Sequence, residues 1–405
     1  MAISYIFADQ ETTHGQLFRR LAVAPDYSAE RGGSILATWN GRAVPMLCVR
    51  NSGSADQLPT IDYDRSVPWV ELPYPPMDIA WCPFKEGAED ASFLTVSRSN
   101  PLQLWDVEDA ALRASYCCHN RAGMPAQPHS TLWSTHRPFI AAGYGGSDDD
   151  VHVRFYDALY EGYNCQSSYR SPCSKGIVCS MADGPSPQQA NLLLAGFMRS
   201  GNVDVVDTRY AGPAAVLRGL RSGVAQILTN TAAEYLVYAS ARLGDRRILC
   251  WDIRRSSDVL CSFEREVRTQ QLVMFCFVRR AQSGGVDLVS ATHDGGVLVF
   301  DDISASNGRA KPYRVHADVG PTSALALLDS ESGVAAVAIG ERRFQMRASC
   351  KPTSAHPLPE ALQAIKRCRS PLVIPELDAS VNAAEEGAIA TIALFTVPRQ
   401  SAVHP

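Results

Sequence analysis

The sequence predicts an all-β protein, a seven-bladed β-propeller, from two strand-rich segments and a repeat period. The segments are LTVSRSNPLQLWD (Leu94 to Asp106) and YASARLGDRRILCWD (Tyr238 to Asp252). Each contains a strand-like run, a polar turn and a second strand-like run that ends in Trp-Asp. This pattern is typical of the end of a WD-repeat blade.

Aspartates that follow an aromatic residue or valine recur at a regular interval, namely Asp106, Asp157, Asp207, Asp252 and Asp301. Subtracting these residue numbers gives intervals of 51, 50, 45 and 49 residues. A WD repeat spans about 40–45 residues and lengthens where loops are inserted. Unrelated strand pairs would not produce five such endings at one period, so we expect repeated blades.

Two weaker segments bring the expected number of blades to seven. Residues 34–49 and 333–346 have the same two-strand pattern without the final Trp-Asp. The pattern then fails over 347–387, which we interpret as a flexible insertion, and AIATIALFTV follows it as a strong strand. We predict that Ile3 to Phe7 pairs with blade 7, because an unpaired edge strand invites aggregation. One propeller domain would then occupy residues 1–405.

The composition favours a large buried core, and the cysteine pattern favours a reducing compartment. Of the 405 residues, 46% are hydrophobic and 20% are charged, which argues against disorder over most of the chain. The 12 cysteines are scattered and form no CxxC pair, so we expect free thiols. No apolar run reaches the roughly 18 residues of a membrane span, and the N-terminal residues do not resemble a secretory signal.

Motifs for catalysis are not apparent in the sequence. It contains no GxSxG or HExxH motif, and GYGGSDDD lies between strands rather than before a helix. A metal site at Cys117 to His119 or at Asp148 to Asp150 is disfavoured, because partners at ligand spacing are missing or adjacent carboxylates point apart. We therefore expect a binding protein rather than an enzyme, with no cofactor, metal or small-molecule substrate.

Arginine is the most informative residue type. The 38 basic residues include only five lysines, and many arginines fall in the turns within blades or in the connections between blades. In a WD propeller both of these lie on one face. The turn residues are Arg42, Arg98, Arg199, Arg242, Arg246, Arg247, Arg342 and Arg343, and the connection residues are Arg170, Lys175, Arg218, Arg221, Arg265, Arg268 and Arg314.

This basic rim contrasts with a net charge of −4 and is interrupted by Asp148 to Asp150 and by Asp294. A one-sided basic face on an acidic protein indicates nucleic-acid binding, since guanidinium groups bind phosphates and stack on bases. An acidic protein or peptide partner is the alternative, and on this view the propeller is a general interaction scaffold.

Several segments resemble the telomerase Cajal body protein family. They are SRSNPLQLWD with ALRASY, the run LCWDIRRSSDVLCSFEREVRTQQ (Leu249 to Gln271), and the weaker FRRLAVAPD, SILATW and MDIAWCPF. The REV-x-T-x-Q part of the second run lies outside the generic repeat. The resemblance implies a nuclear WD-repeat protein that binds a terminal-loop motif of box H/ACA RNAs, including telomerase RNA. Telomerase ribonucleoprotein proteins would be its partners, and the chain by itself would be monomeric.

The resemblance and the basic rim together give a set of candidate RNA-binding residues: Arg98, Asn100, Arg242, Arg246, Arg265, Arg268 and Gln270. Sequence-specific RNA recognition reads unstacked loop bases by stacking and by hydrogen bonds to base edges. Asn100 and Gln270 can serve as donor and acceptor, although an Asn before Pro101 also commonly stabilises a turn. We expect Arg265 and Arg268 to be exposed and to clamp the RNA, with an Arg265–Glu266 structural ion pair as the alternative.

Overall fold

The computed structural model describes residues 3–8, 18–25, 33–39, 43–44, 46–50, 60–62, 70–84, 91–120, 122–145, 151–160, 162, 165–230, 233–265, 267–279, 285–293, 296–303, 312–316, 322–329, 334–339 and 391–396. The predicted insertion at 347–387 lies outside these residues. The described part contains strands and two short 3-10 helices, Pro187–Gln189 and Ile253–Arg255. None of its helices is long and apolar enough to cross a membrane.

The strands are numbered in chain order. The first fifteen are β1 (Ile3–Ala8), β2 (Phe18–Val23), β3 (Gly33–Trp39), β4 (Ala43–Val44), β5 (Met46–Arg50), β6 (Thr60–Asp62), β7 (Val70–Glu71), β8 (Pro76–Trp81), β9 (Ser92–Ser97), β10 (Leu102–Asp106), β11 (Leu112–Tyr116), β12 (Ser130–Trp133), β13 (Phe139–Gly143), β14 (Val153–Asp157) and β15 (Ser167–Tyr169).

The other fifteen strands complete the described part of the chain. They are β16 (Val178–Asp183), β17 (Leu192–Phe197), β18 (Val203–Asp207), β19 (Gly212–Leu217), β20 (Val224–Thr229), β21 (Leu236–Ala241), β22 (Arg247–Asp252), β23 (Cys261–Glu264), β24 (Phe275–Arg279), β25 (Val286–Ala291), β26 (Gly296–Phe300), β27 (Pro312–His316), β28 (Thr322–Asp329), β29 (Val334–Ile339) and β30 (Thr391–Thr396).

The described strands form seven four-stranded antiparallel sheets and one two-stranded sheet of β4 and β7. Six of the larger sheets follow chain order: β2-β3-β5-β6, β8 to β11, β12 to β15, β16 to β19, β20 to β23 and β24 to β27. The seventh joins β28, β29 and β30 to β1 from the beginning of the chain, with Ile3 opposite Phe395. The predicted all-β class is confirmed, and the series of four-stranded sheets is consistent with a β-propeller.

The recurring aspartates have one structural role in four consecutive sheets. Each ends the third strand and accepts a hydrogen bond from the backbone N–H two residues later, where the chain turns into the fourth strand. The bonds are Glu108 N to Asp106 (2.8 Å), Leu159 N to Asp157 (2.9 Å), Arg209 N to Asp207 (3.0 Å) and Arg254 N to Asp252 (2.9 Å). Aspartate favours such turns because its short carboxylate reaches this N–H.

The core consists of apolar layers between successive sheets. Along β21, Val237 and Ala239 pack toward the preceding sheet, in a cluster that also contains Val205. Tyr238, between them in sequence, packs toward the following sheet with Phe275. Side chains of a strand alternate between its two faces, so a strand with both faces buried reads as a continuous apolar run.

Polar side chains on the first strands of four sheets link neighbouring sheets. Arg20, Asp78, Ser180 and Gln226 each occupy the third position of β2, β8, β16 and β20, immediately after a register shift. Arg20 forms a salt bridge with Asp78, and Asp78 accepts from Thr131 N of β12 at 3.0 Å. Ser180 accepts from Ile227 N of β20 at 3.0 Å. These first strands, which contact one another along the chain, are called the inner ring below.

Candidate nucleic-acid interface

The chain topology brings the turns and connections of interest to one end of the sheets. In a four-stranded antiparallel meander, the turn between strands two and three lies at the same end as the connection to the next sheet. Backbone hydrogen bonds join these segments: Arg265 N donates to Arg246 O at 2.7 Å, and Ser200 N donates to Lys175 O at 3.2 Å. The predicted turn and connection residues therefore share one end of the described sheets.

Many basic side chains at this end are exposed to solvent. The group called the basic face is made up of Arg98, Arg170, Lys175, Arg199, Arg218, Arg221, Arg246 and Arg268, with Gln270 as a polar member. A guanidinium group presents a planar fork of donors whose geometry matches a phosphate or a base edge. The arrangement can therefore neutralise several phosphates of one nucleic-acid strand.

Arg98 and Asn100 lie on the turn between β9 and β10. Arg98 is exposed, whereas Asn100 is half-buried. The Asn100 Nδ2 group donates to Ser97 Oγ at 2.9 Å, and Ser99 adopts a left-handed conformation with φ 61°. Asn100 thus contributes to the turn through its amide donor, as the structural alternative expected, and Arg98 is the more accessible of the two.

Arg246 is exposed on the turn between β21 and β22, while the adjacent Arg247 is held by Asp245. Arg247 donates from both Nε and Nη2 to the Asp245 carboxylate, each at 2.8 Å. Burial acts to raise the pKa of Asp245, but hydrogen bonds from Arg247 and from Arg221 N outweigh it and lower the pKa below its ordinary value. Gly244, with φ 108°, supplies the left-handed backbone of this turn.

Arg265 is buried, with a relative exposure of 3%, so the expectation that it is an exposed loop charge is wrong. Its Nη1 donates to Val273 O at 2.8 Å and to Ser290 Oγ at 3.0 Å. Desolvation lowers the pKa of Arg265 to about 9. Arg265 follows β23 and bonds to the next sheet, which favours a structural link between the two sheets. Glu266, its expected ion-pair partner, lies outside the described residues.

The rest of the connection between β23 and β24 alternates between buried and exposed residues. Val267 is buried against Val273 and Thr269 is also buried, whereas Arg268 and Gln270 are exposed. An extended chain directs successive side chains to opposite sides. Anchoring by Val267 therefore directs Arg268 and Gln270 to solvent, as the sequence predicted for them.

Arg242 is half-buried rather than projecting freely from the face. Burial lowers the pKa of its guanidinium group below the ordinary value. Of the remaining basic residues, Arg42, Arg342 and Arg343 lie outside the described residues, and Arg314 is described only as part of β27. The acidic interruptions at 148–150 and at position 294 also fall outside them.

Sequence reasoning missed the inner-ring polar residues Arg20, Asp78, Ser180 and Gln226. The available signal is a polar residue at the third position of an apolar strand in four repeats: FRRLAV, PMDIAW, VCSMAD and VAQILT. No group of three or more His, Cys, Asp or Glu residues in the described ranges is arranged to hold a metal ion.

The fold and the basic face define a class of protein, an all-β protein built of propeller-like sheets with a cationic end. Comparison with known proteins gives the family that it resembles. The chain is 27% identical over 241 residues to human telomerase Cajal body protein 1, covering 58% of this chain and 41% of that protein. The protein of the same name from Mesocricetus auratus is 26% identical over 258 residues, or 62% and 45% of the two chains.

A telomerase Cajal body protein 1 homolog from Drosophila melanogaster is 25% identical over 205 residues, covering 49% of this chain and 35% of that protein. The matched segments thus span less than half the length of these relatives. No family model matches the chain. The resemblance to the telomerase Cajal body protein family that was predicted from the sequence is confirmed by these relatives.

Proposed function

We propose that this chain is a nuclear, non-enzymatic RNA-binding protein. Its basic face binds a terminal-loop motif of box H/ACA small RNAs, including telomerase RNA. In this role the chain supports localisation of the ribonucleoprotein or assembly of telomerase with other telomerase proteins. The sheets form a closed seven-bladed WD-repeat propeller, monomeric by itself, in which β1 completes the last blade.

The observation that carries this proposal is the exposure of Arg98 and Arg246, which lie in the turns between the second and third strands of two different sheets and therefore at the same end of the series. Neither guanidinium group has a side-chain partner among the described residues. Arg98 belongs to the first segment that resembles the family, and Arg246 lies just before the second, which begins at Leu249. The names of the curated relatives associate those proteins with telomerase and Cajal bodies. Exposed cations without a carboxylate partner are available for phosphates at little structural cost.

Within the face, the residues divide by accessibility. Arg98, Arg246, Arg268 and Gln270 are exposed and are assigned direct contacts with the RNA. The Asn100 side-chain oxygen is assigned a hydrogen bond from an RNA base. Arg242, which is half-buried, is assigned a contact with the RNA at the edge of the face. Arg265 supports the connection that presents Arg268 and Gln270, rather than contacting a base.

The test is sequencing of RNA that copurifies with the tagged chain, for the wild type and two variants. Charge reversal of both Arg98→Glu and Arg246→Glu is expected to abolish enrichment of H/ACA or telomerase RNA. The matched control is Arg255→Glu, an exposed arginine at the opposite end of the sheets. Recovery of acidic protein partners without RNA would instead support the interaction-scaffold alternative and reject RNA binding.

A further inference from the structure

Two cysteines on neighbouring strands stand directly opposite each other. Cys250 lies on β22 and Cys261 begins β23, and the register of this antiparallel pair places the two residues opposite one another. Both side chains belong to the apolar layer that also contains Phe275 of the following sheet. Cys250 is fully buried in that layer, and Cys261, which is half-buried, packs against it. Both thiols are free.

The spacing of such a pair suits a disulfide bond. Residues directly opposite in antiparallel strands have Cα atoms about 4.5–5.5 Å apart, and their side chains share one face of the sheet. A disulfide joins residues whose Cα atoms are about 4.4–6.8 Å apart. The Leu260 N–H donates to Cys250 O at 2.9 Å, so the backbones are already held together beside the two thiols. A bond between the Sγ atoms therefore requires no rearrangement of the strands.

This placement distinguishes the pair from the other cysteines that the structure describes. Within the described ladders, no other cysteine has a cysteine as its direct cross-strand partner. Cys276, for example, lies opposite Val289. Cys173 is exposed on the connection after β15 and is therefore more accessible than either member of the pair. Accessibility and pairing thus favour different cysteines, and an oxidant can distinguish between them.

The two thiols of the pair differ in access and in acidity. Cys261 is half-buried, whereas Cys250 has no exposed surface. Interaction with the Cys250 thiol lowers the pKa of Cys261, although burial opposes this change. The same interaction, together with burial, raises the pKa of Cys250. Because the thiolate is the reactive form of cysteine, Cys261 should react first with an oxidant and Cys250 second.

We propose that Cys250 and Cys261 are a redox-sensitive pair that forms a disulfide with hydrogen peroxide and is reopened by a thiol reductant. The Cys261 thiolate attacks one peroxide oxygen, the O–O bond breaks, and the leaving hydroxide takes up the thiol proton as water. The Cys250 thiol then attacks Sγ of the resulting sulfenic acid, the S–O bond breaks, and a second water leaves. The two thiols lose two hydrogen atoms, and peroxide is reduced to two waters.

The position of the pair gives the bond a structural effect. β23 is the outer strand of its sheet, so within that sheet it is paired on one side, by β22. Beyond β23 the chain continues through Arg265 into the connection that presents Arg268 and Gln270. A disulfide to β22 would restrain this outer strand. In a reducing compartment a disulfide is usually transient and redox-sensing, which favours a switch over a permanent cross-link.

The test is peroxide treatment of the reduced full chain, followed by alkylation of the remaining thiols and tryptic mass spectrometry without reduction. Trypsin cleaves after Arg254 and Arg255, which lie between the two cysteines, so a disulfide joins two separate peptides. Cys261→Ser is the main variant. Cys173→Ser, which removes the exposed thiol, is the matched control. Circular dichroism of each variant establishes that it is folded.

We expect the joined peptides in the wild type and in Cys173→Ser, their complete loss in Cys261→Ser, and their disappearance with dithiothreitol. In Cys250→Ala the sulfenic acid of Cys261 has no thiol to attack it, so its labelling by dimedone should exceed that of the wild type. Oxidation of Cys173 while the pair stays reduced would overturn the proposal. Cross-linking of Cys261 to another cysteine in the folded chain would overturn it as well.

Two further measurements test the dependence on the fold. Peroxide treatment in urea should distribute cross-links among several cysteines, because the pairing depends on the folded register. Amide hydrogen exchange in β23 should be slower in the oxidised chain than in the reduced chain, since the bond suppresses local opening of the outer strand. Equal exchange in the two forms would refute the switch. None of these readouts involves RNA, so this proposal and the proposed function can fail separately.

Discussion

The side chain of Gln226 forms two hydrogen bonds with the backbone of Phe275. Its Nε2 donates to Phe275 O at 3.0 Å, and Phe275 N donates to its Oε1 at 2.8 Å. Gln226 lies on β20 and Phe275 begins β24. The Gln226 amide therefore pairs with the Phe275 backbone as a neighbouring strand would, and this links two sheets. Both residues are buried, and water cannot replace these bonds.

Gln226→Ala is expected to destabilise the fold, since it leaves the Phe275 N–H and C=O without partners. The expected loss is about 2–4 kcal/mol, from about 1–3 kcal/mol for each buried group left unsatisfied and partial relaxation of the site. Chemical denaturation gives the free energy of unfolding. The exposed Gln270→Ala serves as the control, and equal stability of the two variants would show that the Gln226 link is not structural.

Arg265→Ala should lower the melting temperature strongly and weaken RNA binding at low temperature only slightly, because Arg265 supports the connection and does not contact the RNA. The substitution removes the bonds to Val273 O and Ser290 Oγ and opens a cavity, at an expected cost of about 2–4 kcal/mol. Arg265→Met fills the space without burying a charge and should recover part of the loss. Melts and gel shifts on the same samples decide the role: a variant that melts normally but loses RNA would place Arg265 in the interface.

Asp245→Asn is expected to destabilise the chain at neutral pH and to have less effect in acid. The folded-state pKa of Asp245 is lowered, so the unfolded chain binds its proton first as the pH falls. Its contribution to stability is therefore fully present above about pH 4, the ordinary range of the group, and is lost as the pH falls through the lower folded pKa. Urea unfolding of both proteins from pH 7 to pH 3 measures this difference, and a constant difference would contradict the assignment.

RNA affinity should fall steeply with salt if the basic face contacts phosphates. For single strands, the slope of log affinity against log salt is about −0.7 per neutralised phosphate. Four to six contacts would give a slope of about −3 to −4 by that rule. Fluorescence anisotropy between low and moderate salt measures the slope. A flat response would show that these arginines do not form the RNA surface.

The exposed cations contribute to this slope individually. Arg246→Ala should reduce the magnitude of the salt slope by about 0.7. It should leave the free energy of unfolding within about 0.5 kcal/mol of the wild-type value. Arg255→Ala, at the opposite end, should change neither quantity. An equal effect of the two substitutions on the salt slope would mean that RNA binds without preference for the basic face.

Several features of this chain were determined by its sequence alone. The spacing of Asp106, Asp157, Asp207 and Asp252 predicted repeated strand units, because each carboxylate caps a turn inside its own sheet. The exposure of Arg98 and Arg246 also followed from their place in tight turns. Such features depend on residues a few positions apart, so a local pattern is sufficient to reveal them.

Only the tertiary structure decided that Arg265 is buried and which residues link the strands of the inner ring. Arg265 was predicted to be exposed because it lies in the connection between two blades. It is buried instead, and its guanidinium group donates to Ser290 Oγ of the next sheet, 25 residues further along the chain. The pairing of Gln226 with Phe275 spans 49 residues. Burial is set by what packs against a side chain from elsewhere in the chain, and a sequence window contains no information about that neighbour.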